Sequence, residues 1–425
     1  MDRAKRFLLE HGMHESCYDF DWHVKDFTKE MEAGLSGRES SLLMLPSYLG
    51  VSPVKEPEGD AVAVDAGGTN LRIALVRFGP GAAPAILRHE KYRLPGSDGA
   101  VGKDEFFGLI AGYIGDMTEA ADMTGAADMT GGADRAGFCF SFPSEIGADR
   151  DGKILGFNKE VKVHDSAGVY IGAELNAAFA RAGKPAMKVT VLNDTAAALI
   201  GTVFAHGVHG MNGYIGLIYG TGVNICYYDR EMGMLINTET GGYGGFLQSE
   251  CDLEIDRESD NPGDHRFEKM VSGAYFATVA LKAARLAAKK EAFSRKTNDA
   301  IGALTQLDAV LIDRFMQEGG GPAAELGRLC ATEDDARFLY GLFDGIYERA
   351  AKLVAVAMTA VLGRCGASAS QPALIVCEGS AFRKGFRFRE RFERHIAANT
   401  EGGRQYELVT ADDQAVIGAA ASVFL

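Results

Sequence analysis

Two apolar strand pairs, each folded back over a glycine-bearing turn, constrain this chain more than any other feature. The first reads AVAVDAGGTNLRIALVRF from Ala61, the second YIGLIYGTGVNICYYD from Tyr214. Short apolar runs bounded by glycines read as buried strands. One such unit in each half of the chain points to two similarly built lobes facing each other.

Strands alternate with helices elsewhere. Val24 to Leu35 places Phe27, Met31 and Leu35 at helical spacing. KVTVLNDTAAALIGTVFA from Lys188 reads as strand, polar corner and helix. Leu342, Ile346, Ala350, Leu353, Ala357 and Val361 mark one face of a long helix stopping at Gly363. ALIVCEGSAF reads as a buried strand running into a polar turn, and MLPSYL and Ser52 to Asp60 read as connectors. The alternation implies α/β architecture. AADMTG stands twice in tandem at 120–125 and 126–131. It is too short for a structural repeat and reads as an exposed loop insertion.

Charge narrows the function classes. With 44 basic against 58 acidic side chains the net charge is −14. That argues against nucleic acid or an anionic membrane surface as partner, yet allows a phosphorylated small molecule held by local donors. Seven scattered cysteines without a CxxC pair form neither a disulfide framework nor a zinc knuckle. Together with the absence of a signal-peptide core or a membrane-length apolar run, they lead to a cytoplasmic expectation.

Each candidate motif has two readings. Asp65-Ala66-Gly67-Gly68-Thr69-Asn70 can be a tight hairpin turn, or a loop whose backbone N–H groups approach an anion. In the second reading Asp65 could orient a metal-bound water. Gly220-Thr221-Gly222-Val223-Asn224 is equally ambiguous, but two such turns favour a nucleotide held between lobes. Neither is a P-loop or a dinucleotide fingerprint. In Asn193-Asp194-Thr195, Asp194 or Thr195 can cap the following helix. Alternatively Asp194 points from a strand's carboxyl end into the crevice and removes a hydroxyl proton. Glu239 and Glu268 read first as solubilising acids. Lys282, Arg285, Lys289 and Lys290 read as a solvated face, and no histidines stand at metal-ligand spacing.

Taken together and in order, these segments resemble the hexokinase family from MLPSYL nearly to the C-terminus. VDAGGTNLRIALV, GFCFSFPSE, VLNDT, GLIYGTGVNICYY and DLEIDRESDNPGDHRFEKMVSGAYF carry the resemblance, supported by CEGSAF and GAAASVF. It implies an actin-like (ribonuclease-H-like) ATPase fold with two lobes around a deep cleft. The expected small lobe is 61–192 plus 410–425, and the large lobe 1–60 plus 193–409. The implied reaction moves the γ-phosphoryl of MgATP to the 6-hydroxyl of a hexose, the first step of glycolysis, with glucose, mannose or fructose as acceptor. By resemblance Asp65, Gly67, Gly68, Thr69, Asn70 and Arg72 form one nucleotide loop. Gly220, Thr221, Gly222 and Val223 form the other, and Gly379 and Ser380 lie on the adenosine side. Ser141, Asn158, Lys159, Asn193, Asp194, Asn224, Glu239 and Glu268 match sugar-contacting positions. Asp194 matches the general base, Lys159 a second catalytic position, and Asp65 a water-mediated Mg²⁺ contact.

The chain also departs from the family. Phe157-Asn158-Lys159-Glu160 stands where Trp-Thr-Lys-Gly is usual, CEGS replaces VDGS, and ADDQAVIG is poorer in glycine. These changes bear on sugar preference and nucleotide affinity. They motivate one alternative, a kinase for another sugar or an amino sugar. Another is a non-catalytic sugar sensor, although Asp65, Lys159 and Asp194 together argue against a pure binder. The length is that expected of a single catalytic unit.

Overall fold

The computed structural model describes residues 2–52, 56–123, 133–157, 161–208, 210–321, 323–368, 370–399, 406–411 and 414–425. Asn158 and Lys159 lie outside the described residues. So does most of the AADMTG duplication, whose first four residues close a helix.

Two sheets share one plan. The first contains β1 (Gly59–Gly67), β2 (Asn70–Phe78), β3 (Ala85–Arg93), β4 (Arg135–Phe140) and β5 (Lys188–Leu192), in the order β3-β2-β1-β4-β5. The second contains β6 (Gly213–Tyr219), β7 (Val223–Asp229), β8 (Met234–Asn237), β9 (Ala373–Glu378) and β10 (Tyr406–Thr410), in the order β8-β7-β6-β9-β10. In each, the first three strands in chain order are antiparallel neighbours and the last two run parallel to the first. The two hairpin units of the sequence are thus equivalent pieces of two sheets built alike. One connector gains structure: Leu45–Pro46 pairs antiparallel with β8 and extends the second sheet.

The helices that place the site are α1 (Lys103–Met123), α2 (Ile171–Arg181), α3 (Asp194–His206), α4 (Arg266–Val271), α5 (Gly273–Lys289), α6 (Ala309–Gln317), α7 (Glu333–Arg364) and α8 (Gln414–Ser422). Strand alternation decides what each sheet face meets. On β1, Val62, Val64 and Ala66 face a core with Phe106 and Phe107 of α1 and Leu175 of α2. Ala61 and Ala63 face the opposite way, into a core shared with α3, α8 and residues of the second sheet. Small residues are required there. A Cβ at Gly137 would lie 1.7 Å from the Ala419 carbonyl, and one at Gly418 would lie 1.8 Å from the Ala197 carbonyl. Helices α3 and α8 therefore cross in backbone contact between the two sheets.

The same parity operates in the second sheet. Ile215, Leu217, Ile225 and Tyr227 pack on the α7 side, whereas Cys226 and Leu235 face the shared core. Residues continuing that inward parity at the strand ends, or one residue beyond, stand where the sheets face each other. These include Asp65, Ser141, Asn224, Asn237 and Glu378.

Candidate active site

The inward-facing strand ends open into a cleft of about 720 Å³ between the two sheets. From the first sheet come Asp65, Gly67, Gly68, Asn70, Arg72 and Ser141; Asn193 and Asp194 follow β5. From the second come Gly220, Thr221, Gly222, Val223, Asn224, Glu239, Glu268, Gly379 and Ser380. Thr69 sits in the same turn as Gly68 but does not line the cavity. All candidate site residues among the described residues other than Thr69 therefore converge on one space.

Both glycine loops are hairpin turns, so the simpler geometry holds alongside any anion-binding role. Gly68 has φ +56°, and a Cβ at Gly67 would come within 2.9 Å of Ser141 Oγ. In the second loop Gly220 N–H donates to the Gly222 carbonyl at 3.0 Å. The start of α5 pins this loop, with Gly273 N–H donating to the Gly220 carbonyl at 2.8 Å. Gly379 has φ +118°, and a side chain there would strike the Tyr219 carbonyl at 2.3 Å. Backbone thus approaches backbone closely, which only glycine permits.

Helix α3 resolves the two readings of Asn193-Asp194-Thr195, and corrects one of them. Neither Asp194 nor Thr195 caps it. Asn193 does, its Oδ1 accepting Thr195 N–H at 2.8 Å. Asp194 is left as the first helical residue, its carboxyl group at the cleft floor, accepting a bond from the Thr195 hydroxyl at 3.2 Å. Burial pushes its pKa up to about 6, reinforced by the negative charges of Glu239 and Asp65 and partly offset by bonds from Thr195. Carboxylates of both sheets thus act on one group.

A relay of amides orients the second sheet's acids. Asn224 Nδ2 donates to Asn237 Oδ1 at 2.8 Å, and Asn237 Nδ2 donates to Glu239 Oε1 at 2.7 Å. Glu239 holds a left-handed backbone, φ +53°, a conformation costly for a non-glycine residue unless its surroundings fix it. Glu268 on α4 accepts the backbone N–H of Val223 at 3.2 Å. Burial raises the pKa of both acids, while the nearby His265 charge opposes the rise. On the first sheet, Asp65 Oδ2 accepts from Arg72 Nε at 2.7 Å and Nη2 at 2.6 Å, matching their pairing across β1 and β2.

Comparison with known proteins agrees with this geometry. Two family models, both described as hexokinase, match residues 12–204 and 214–425. The chain belongs to the hexokinase family. Hexokinase-2 of Candida albicans is 26% identical, covering 93% of this chain and 87% of its own length. Hexokinase-1 of Mus musculus is 29% identical, covering 87% of this chain. Hexokinase-3 of Homo sapiens is 33% identical over 59% of this chain. This chain spans 40% of the mouse protein's length and 28% of the human protein's. Among solved structures, a Schistosoma mansoni hexokinase complexed with glucose aligns with TM-score 0.78 and 21% identity over 99% of this chain and 98% of its own. The fold is the actin-like ATPase fold that the sequence resemblance implied.

The sequence reading did not single out Lys91, Asn237 or His265. Lys91 lines the cleft from β3 because it pairs with Arg72, placing Asp65, Arg72 and Lys91 in one cross-strand row. Asn237 in INTET orients Glu239, and its signal was its alternation with Leu235. His265 lines the cleft with φ +48°, and nothing in the sequence marks that conformation. The solvated-face reading holds for the exposed Arg285, Lys289 and Lys290, whereas Lys282 is half-buried, its ammonium meeting Glu254 and Glu258 at 2.6 Å each. This helix side borders a larger cavity, of about 960 Å³, where Lys282, Arg285 and Arg295 face Glu250, Glu254 and Asp299. The site is placed in the smaller interlobe cleft on chemistry, not size.

Proposed function

We propose that this chain transfers the γ-phosphoryl of MgATP to the 6-hydroxyl of a hexose, glucose first among them. The observation that carries the reading is Asp194. It is relieved of capping, half-buried at the cleft floor and poised near pH 6, between two glycine loops and a group of sugar-sized polar contacts. A base with a pKa just below neutrality is ionised at pH 7 and still accepts a proton as phosphoryl transfer develops.

In this mechanism Asn224, Glu239 and Glu268 hold the hexose hydroxyls with charge-assisted bonds, together with Ser141, Asn193 and, by family resemblance, Asn158 and Lys159. The loops at Gly67–Asn70 and Gly220–Val223 offer backbone N–H groups to the phosphates, with Arg72 and Lys91 as cations nearby. Asp194 takes the proton of the attacking hydroxyl. Mg²⁺, when bound, neutralises phosphate charge. Among the described residues no three acidic, histidine or cysteine side chains converge as a metal cage. Asp65 fits the arrangement Mg²⁺ prefers, one or two carboxylates with water and phosphate oxygens completing the shell.

Residues 61–192 plus 410–425 would move as the small lobe and 1–60 plus 193–409 as the large one. The α3–α8 crossing lies between them. Seven unpaired cysteines suit a reducing compartment such as the cytoplasm. Among the described residues no helix is long and apolar enough to cross a membrane. The acidic lining of the cleft favours an amino sugar as a second class of acceptor. ADP release measured over a panel of hexoses and hexosamines at saturating MgATP tests the reading. No release above background with any sugar would overturn it.

A further inference from the structure

The loop that joins the helix Glu250–Glu258 to α4 reaches the cleft without an apolar anchor. Asp260 to Arg266 are all exposed, so side-chain burial does not fix their path. The loop nonetheless ends in a demanding backbone, His265 at φ +48°, and three residues later delivers Glu268 to the cleft.

What holds the loop lies underneath it. Asp256, on the preceding helix, and Lys269, on α4, form an ion pair at 2.7 Å, with the lysine only 1% exposed. Each partner also bonds to loop backbone. The Lys269 ammonium donates to the Asn261 carbonyl at 2.7 Å. The Asp256 carboxylate accepts the Gly263 N–H, at 3.1 Å from one oxygen and 3.0 Å from the other. Glu268 and Lys269 are neighbours on α4, where successive side chains diverge by about 100°. One therefore lines the cleft while the other meets the buried carboxylate.

Stability alone is a poor reason for such a pair. Desolvating an ammonium and a carboxylate offsets much of their attraction, and apolar side chains of similar size often serve as well. Apolar side chains could not, however, bond to the Asn261 carbonyl and the Gly263 N–H. We propose that the Asp256–Lys269 pair positions the hexose subsite, clamping the loop backbone at Asn261 and Gly263 so that α4 begins where Glu268 meets the sugar. The inference rests on the hexose reading of Glu268 given above. Asp256 and Lys269 are positioning residues, since neither lines the cleft and both act through Glu268.

The double variant Asp256→Leu, Lys269→Met replaces the pair by apolar groups and removes both side-chain bonds to the loop. Its melting temperature should stay within a few degrees of wild type. Its KM for glucose should rise about tenfold or more with kcat within about threefold, as expected when a binding group is displaced and the reacting groups are not. Asp256→Asn keeps an acceptor for Gly263 and for the ammonium, so its glucose KM should rise less, by about three- to fivefold. That variant decides the matter if the double variant does not fold. Trypsin reads the loop without turnover, and cleavage after Arg266 should be faster in both variants than in wild type. A glucose KM within twofold of wild type in the folded variant would overturn the proposal, and so would cleavage at the wild-type rate. A lowered melting temperature with unchanged KM would do the same, as the mark of a pair that only stabilises. If the wild-type chain phosphorylates no hexose, the reaction proposed above fails on its own account, while faster cleavage in the variants would still support the clamp.

Discussion

The Glu268 carboxylate accepts the backbone N–H of Val223 at 3.2 Å, tying a proposed sugar contact directly to a proposed phosphate loop. The contact is tight, since a Cβ at Gly222 would lie 2.5 Å from Glu268 Oε2. Occupancy of one subsite should therefore be felt in the other.

Glu268→Gln retains an acceptor for Val223 but loses the charge. Its KM for hexose should rise about 10–100-fold, the scale of a lost charge-assisted bond, with KM for MgATP within twofold of wild type. Glu268→Ala removes both contacts and should raise the two KM values together. Steady-state kinetics on both variants decides it, and an unchanged MgATP KM in the alanine variant would break the proposed link.

Asp194→Asn should lower kcat by about 10²–10⁴-fold, the usual contribution of a general base, while hexose affinity weakens only partly. A kcat within a few-fold of wild type would remove Asp194 from the base role.

The pH dependence has a definite sign. Asp194 must be ionised to act, so kcat/KM should fall with an acid limb near pH 6, approaching tenfold per unit below it. Its folded pKa lies above the unfolded value of about 3.9, so the folded state binds the extra proton between these values. Stability is therefore lost as pH rises from about 4 through 6. Asp194→Asn should melt a few degrees higher than wild type at pH 7.5, a difference that fades by pH 4. A lower melting temperature at pH 7.5 would contradict the burial of this charge.

Asn193→Ala should do the opposite. It removes the cap of α3 and should cost about 1 kcal/mol of stability, within the usual 0.5–2 range. Thermal melts of the two variants side by side separate the roles of adjacent residues.

A hexose touching both lobes should draw them together, since a ligand favours the state in which it makes more contacts. Small-angle scattering should show a smaller radius of gyration with saturating substrate. No change would count against lobe closure.

Local patterning was enough to expose the two strand–glycine–strand units, the long helix ending near Gly363 and the strand-to-helix corner at Asn193-Asp194-Thr195. Each depends on residues adjacent in the chain, where periodicity and glycine freedom act directly. Resemblance then named the glycine loops, the acids and the base. What only the tertiary structure decided is how those pieces meet. Lys91 enters the cleft because β3 pairs with β2 in one register, and a one-residue slip would turn it away. Asn193 rather than Asp194 caps α3, a choice between neighbours made by backbone geometry at the helix start. The pKa of Asp194 rises first through burial and then through Glu239 and Asp65, distant in sequence and brought near it by two sheets in contact through α3 and α8. Burial and charge proximity are properties of the folded space, and no local pattern of residues encodes them.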